Sequence, residues 1–206
     1  MAKVHYACIA DWLISIFPPM DLKKIEDGFR LVLEGLGENP LREGLQKTPA
    51  RIAKMYSELL RGLDNEEKEE DILATQFVEK YDEMILLKDI PVTSICEHHF
   101  LPFSGVAHLA YVPGNRIVGL SKLARAVDFY AHRPQVQERL TTQIAELIHK
   151  SLEPQGVGVV LECVHSCMTI RGVKKTGSVM FTSKLIGTFK SNATTRAEFF
   201  SMIGKK

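Results

Sequence analysis

An α+β fold with a mainly antiparallel sheet is predicted for this chain of 206 residues. Three observations predict it. Apolar residues recur at helical spacing in 21–63 and again in 121–152. By contrast, 84–120 and 156–189 hold short β-rich runs bounded by turn residues. The two kinds of segment are grouped (strands, two helices, strands) rather than alternating as a parallel sheet would require. Composition is that of an ordinary globular chain, 45% hydrophobic and 25% charged. The length suits one domain with a real core and a helical appendage.

Residues 1–20 match no recognisable element. Lys3 precedes the apolar stretch from Ala7 to Phe17 in faint imitation of a signal peptide. Asp11 interrupts that stretch and no small-x-small cleavage pattern follows, which points to a cytoplasmic protein. Residues 21–37 read as an amphipathic helix carrying Leu22, Ile25, Phe29, Val32, Leu33 and Leu36, with Gly37 as its stop. Thr48-Pro49 supplies an N-cap and a proline at the first helical position of a second helix, whose buried stripe is Ile52, Met55, Tyr56, Leu59 and Leu63. Arg51 lies in its first turn, where the helix dipole disfavours a cation. The charge run of residues 65–71 reads as a solvated linker, so that 21–71 forms an N-terminal helical region and 72–206 the main domain.

From residue 84 the pattern turns to strands. Met84–Leu87 and Pro91–Ile95 lead into Cys96. Val106–Val112, the turn residues Pro113-Gly114-Asn115, and Arg116–Leu120 resemble a hairpin. Helices follow at Ser121–His132 and Val136–Leu152, broken by Arg133-Pro134. Gly156–Ile170 and Ser178–Phe189 are β-rich, and Thr194–Ile203 ends the chain as a short helix.

Several function classes lose support here. A net charge of +1 gives no global reason to expect nucleic acid or an acidic membrane as partner, so any basic site must be local. No apolar run approaches the roughly 18 residues of a membrane helix. Four cysteines (Cys8, Cys96, Cys163, Cys167) are too sparse for a disulfide framework and suit metal binding or free thiols.

The chemistry-bearing residues fall in two clusters. Cys96-Glu97-His98-His99 offers one thiol and two imidazoles, and His165-Ser166-Cys167 repeats the combination. Cys96, one of His98 or His99, and Cys167 make three metal ligands, the open pattern of catalytic zinc. Cys163 or His165 as a fourth would close the site into a structural one, and spacing leaves both options standing. Ordinary buried thiols and core histidines are the plain alternative. If Leu161–Arg171 is a single strand, Cys163, His165, Cys167, Thr169 and Arg171 share a face. Cys167 and Arg171 then stand roughly 13 Å apart, about the span of a nucleotide with extended phosphates. Ser121-Lys122 opens a helix after a strand, and Arg125 lies on the same side. Backbone N–H groups, a hydroxyl and two cations there form an anion site, unless they are merely a capped helix with solvated charges. Glu138 sits roughly 200° round the helix from Leu140, where a surface ion pair with Arg139 or Lys150 is the default and a contact to a guanine edge the sharper alternative. His108, His132 and His149 have no partner pattern and read as structural or surface residues.

Taken with Gly119-Leu120-Ser121-Lys122-Leu123-Ala124-Arg125, Gln135-Val136-Gln137-Glu138-Arg139-Leu140-Thr141, Met168 and Arg171-Gly172, these clusters closely resemble GTP cyclohydrolase I over residues 21–203, including Thr48-Pro49-Ala50-Arg51. The resemblance implies a zinc ion held by Cys96, His99 and Cys167. It places His165, His98 and Ser121 at catalytic positions and Glu138 with Gln137 at the guanine. Lys122, Arg125 and Arg171 fall on the triphosphate and ribose environment, joined by Arg51 from a neighbouring subunit. It further implies a tunnelling fold, with two helices on one face of an antiparallel sheet, assembled as a barrel of two pentamers face to face. The implied reaction opens the imidazole ring of GTP at C8, releases formate and yields 7,8-dihydroneopterin triphosphate for a folate or other pterin pathway. Residues 1–20 and Cys163 depart from the family pattern. Cys163 reads as a spare thiol near the metal; without the metal, either it or Cys96 could pair oxidatively with Cys167.

Three rivals stand beside this reading. A deazapurine-nitrile reductase of the same fold uses a catalytic cysteine without this ligand set. A zinc nucleobase deaminase needs His-x-Glu and Pro-Cys-x-x-Cys, which the chain lacks. A catalytically inactive, zinc-stabilised nucleotide-binding oligomer would close its metal site with a fourth protein ligand.

Overall fold

The computed structural model describes residues 19–64 and 67–204; the signal-like stretch Ala7 to Phe17 lies outside the described residues. The chain divides into two compact units, Met1–Asp64 and Asn65–Lys206. In the first, α1 (Leu22–Gly35) begins where the Asp21 carboxylate accepts from the Lys24 N–H at 2.9 Å, and Gly37 closes it at φ +76°. Helix α2 (Thr48–Leu59) carries Pro49 in its first turn. Thr48 is the first helical residue rather than the cap predicted: its hydroxyl donates back to the Gly44 carbonyl at 3.4 Å, and Lys47 takes the cap position. Phe29 stacks on Tyr56 at 5.8 Å to join the two helices.

The second unit is mixed α+β. It starts with α3 (Glu69–Ile72) and β1 (Gln76–Val78), followed by β2 (Ile85–Cys96), β3 (Pro102–Val112), β4 (Arg116–Val118) and α4 (Leu120–Ala131). Next come β5 (Pro134–Gln135), α5 (Gln137–Leu152), β6 (Gly156–His165), α6 (Ser166–Thr169), β7 (Met180–Gly187), α7 (Thr188–Ser191) and α8 (Ala193–Met202). A five-stranded sheet runs β5-β2-β3-β6-β7, antiparallel except for the β5–β2 pair. Alternation along the strands divides the core. Leu109, Tyr111, Val157, Val159, Leu161 and Cys163 face α4 and α5, whereas Ala110 and Val160 face Phe189, Phe199 and Ile203 on the other side.

Four expectations change. Residues 67–71, the described part of the charge run, are more than a solvated linker, because α3 starts at Glu69, Glu67 pairs with Arg125, and Glu69 with Lys150. Val106–Val112 and Arg116–Leu120 do not form a hairpin. Both edges of β3 are taken by β2 and β6, so β4 pairs with β1 instead. The two short strands before the metal-like cluster are one strand with a bulge between Leu87 and Ile90, where Asp89 adopts φ +58°. Buried His108 pins that bulge: its Nδ1 accepts the Asp89 N–H at 3.2 Å while Nε2 faces Glu162 at 3.3 Å.

The fourth change bears on the site. Leu161–Arg171 is not one strand; β6 stops at His165 and α6 begins. The next residue of β3 in register would be Pro102, which has no N–H to continue the ladder. The helical turn shortens the path after Cys167, at about 1.5 Å of rise per residue instead of about 3.3 Å, and ends the alternation of faces. Upstream, β3 and β6 approach closely at Gly105, where a Cβ would lie 1.8 Å from the Glu162 carbonyl oxygen, so only glycine fits between them.

Candidate active site

Cys96 ends β2 with its side chain buried. The chain then turns tightly: the Phe100 N–H returns to the Cys96 carbonyl at 2.9 Å, the Cys96 N–H reaches the Leu101 carbonyl at 2.9 Å, and Phe100 sits at φ +52°. This turn folds His99 back over Cys96, with Nδ1 3.8 Å from Sγ. Cys167, in the short helix after β6, completes a group whose ligand atoms all lie within 4.8 Å of one another: Cys96, His99 and Cys167. Around a tetrahedral ion, ligands at about 2.0–2.3 Å stand roughly 3.5 Å apart, so small side-chain rotations suffice to seat a metal. The donor set fits one. Burial, and next the Cys96 thiol beside it, hold the Cys167 thiol above its ordinary range, and a bound cation would reverse that preference.

The remaining predicted residues sort around this group. His98 also approaches Cys96, at 4.0 Å, but its exposed ring turns towards Glu97 at 3.8 Å. Cys163 lies in the core, where burial foremost pushes its thiol up to about 12. Neither they nor any other described His, Cys, Asp or Glu joins the three-donor group. His165 ends β6 in register with Phe103, whose ring stacks on it at 4.5 Å and 8°. Its Nε2 meets Gln137 Oε1 at 2.9 Å. Burial pulls its pKa below the usual imidazole range, partly opposed by the Glu138 carboxylate nearby.

Glu138, exposed in the first turn of α5, is placed by the helix start rather than by the ion pairs suggested for it. Arg139 pairs instead with Glu97, and Lys150 with Glu69. Ser121 and Lys122 lie in the first turn of α4, where Gly119 is the cap. Arg125, one turn on, is exposed but paired with Glu67, so an anion there would compete with a carboxylate. Arg171 is exposed just beyond α6 and close enough to Cys167 to favour its thiolate slightly. Arg51 belongs to the first unit, exposed in the first turn of α2. Sequence reasoning passed over Phe103, Thr141 and Thr182, which hold His165 and Gln137; nothing in their spacing marks them.

A family model described as GTP cyclohydrolase I matches residues 25–204. The chain belongs to the GTP cyclohydrolase I family. It is 56% identical to GTP cyclohydrolase 1 of Pelotomaculum thermopropionicum over 184 residues, covering 89% of this chain and 97% of that protein. To the enzyme of Carboxydothermus hydrogenoformans it is 52% identical over 186 residues, 90% and 96% of the two chains. To that of Mycobacterium avium it is 51% identical over 188 residues, 90% and 91% of the two. A solved archaeosine synthase QueF-Like overlaps 52% of this chain and 97% of that one at a TM-score of 0.45 and 18% identity, a likeness too slight to carry argument. Membership in this family makes the chain an enzyme, a GTP cyclohydrolase.

Proposed function

We propose that the chain opens the guanine imidazole ring of GTP at C8 in a zinc-dependent hydrolysis, releasing formate and forming 7,8-dihydroneopterin triphosphate. The observation that carries the reading is the Cys96–His99–Cys167 group, which no fourth His, Cys, Asp or Glu among the described residues joins, with His165 two residues before Cys167 in the chain. Zinc held there would act as a Lewis acid and make water a nucleophile near neutral pH. His165 delivers a proton to N7 as C8 is attacked, the task of a positioned imidazole. Glu138 accepts hydrogen bonds from the guanine N1–H and amino group, and His98 and Ser121 stand at the ribose. Two waters are consumed in opening the ring and freeing formate. One is returned when the rearranged ribose carbon closes on the amine.

The triphosphate passes through unchanged, so Lys122, Arg125 and Arg171 serve binding and orientation, with Arg51 supplied by a neighbouring subunit. Arg125 would exchange Glu67 for phosphate on binding. The assembly is a tunnelling-fold barrel of two pentamers in the cytoplasm, with residues 72–206 as the catalytic domain. Its support is the family resemblance together with a sheet that leaves β7 at an edge. No helix among the described residues is long and apolar enough to cross a membrane.

In a formate-release assay, Arg171→Ala should raise KM for GTP by about 10- to 100-fold, the scale of a lost charge-assisted hydrogen bond, with kcat nearly unchanged. A fall in kcat at constant KM would contradict this division of roles.

A further inference from the structure

We propose that Gln137 is a positioning residue. Its amide fixes His165 in the Nε2–H tautomer, leaves Nδ1 as the ring nitrogen that exchanges protons with substrate, and does not itself touch GTP. The inference deepens the function proposed above and rests on His165 acting there. It replaces the substrate contact that the sequence suggested for Gln137.

The hydrogen bonds leave one consistent assignment. Gln137 Nε2 donates to the carbonyls of Leu161 at 3.1 Å and Met180 at 3.0 Å, and to Thr182 Oγ1 at 3.0 Å. Carbonyl oxygens only accept, so the nitrogen of the amide must be the end that faces them. Oε1 therefore points at His165 Nε2, 2.9 Å away, and an amide oxygen also only accepts. The proton between them belongs to the imidazole, which puts the lone pair of the neutral ring on Nδ1.

The surrounding hydroxyls close the same arrangement. Thr141 Oγ1 donates to the main-chain carbonyl of Gln137 at 2.7 Å, so the 2.7 Å contact between the two threonine hydroxyls must be donated by Thr182. Thr182 is then left to accept from the amide. Phe103 holds the plane of the imidazole from its flat side. Gln137 is 1% exposed, and its two amide hydrogens are already shared among three acceptors, so nothing remains for a guanine. Groups on α5, β3, β6 and β7 thus converge on a single ring orientation and tautomer.

NMR of the metal-loaded protein with ring-¹⁵N-labelled histidine, using His165→Asn to assign the signal, tests this directly. The wild type should show His165 protonated at Nε2. Gln137→Met, which keeps length and apolar bulk, should mix the tautomers. It should also lower kcat by about 10- to 100-fold, part of what a positioned proton donor contributes, while GTP affinity of the chelator-treated protein stays unchanged. Thr182→Val removes one of three acceptors and should move both readouts the same way by less; it carries the test if Gln137→Met does not fold. A wild-type Nδ1–H tautomer overturns the proposal. So does GTP binding weakened by at least about tenfold in Gln137→Met with kcat intact, the mark of a lost substrate hydrogen bond. Absence of formate from the wild type would defeat the proposed reaction, whereas the tautomer measurement would still decide the role of Gln137.

Discussion

Replacing Cys167 by alanine should lower formate release from GTP by more than about 10³-fold, because the loss of a single transition-state hydrogen-bond donor already costs about 10²–10³ and here a whole cation is lost. Cys167 and Cys96 are the two thiols of a three-donor group, and no other described His, Cys, Asp or Glu joins it. With one sulfur gone, two donors remain. Cys163 does not replace it, since its side chain is packed in the core and does not join the group. The fold should survive, for Cys167 is only half-buried, in a four-residue helix that packs against the main core from its edge. Zinc content and turnover should therefore fall together, while the denaturation midpoint stays that of the chelator-treated wild type. A variant that loses zinc and keeps turnover would remove the metal from the chemistry.

His165→Asn should lower kcat by about 10²- to 10⁴-fold, the usual worth of a positioned general acid or base. GTP affinity and zinc content should both stay near wild type. Asparagine is too short to reach Gln137 from the end of β6, and it offers no group that titrates near neutrality. The loss is one of proton transfer, not of substrate contact: His165 Nε2 is occupied by Gln137 and its flat face by Phe103. Measuring kcat separately from GTP affinity on the chelator-treated protein distinguishes the two. A variant whose affinity collapses while kcat holds would make His165 a binding residue.

The sequence made some features legible because they are local. Cys96 and His99 lie three apart, and a single tight turn joins them whatever the rest of the fold does. The helices are readable from their apolar stripes, and Gly37 as the stop of the first, a role that its left-handed backbone fills. Other features depend on partners distant in sequence. The break after His165 follows from Pro102 on the neighbouring strand, and the failed hairpin from both edges of β3 being taken. Glu67 capturing Arg125, and Glu97 capturing Arg139, are contacts between segments 58 and 42 residues apart. Gln137 is the sharpest case. Periodicity marks it only as the start of a helix, and its buried amide has meaning solely through Leu161, Met180 and Thr182 on two other strands.

The most direct test of the proposed reaction is formate and fluorescent pterin production from GTP by the purified protein, with and without a zinc chelator. Formate and pterin in equimolar amounts, lost with chelator and restored by zinc, is the predicted result. Tight GTP binding with neither product would contradict it, and would point to a catalytically inactive, zinc-stabilised nucleotide-binding protein.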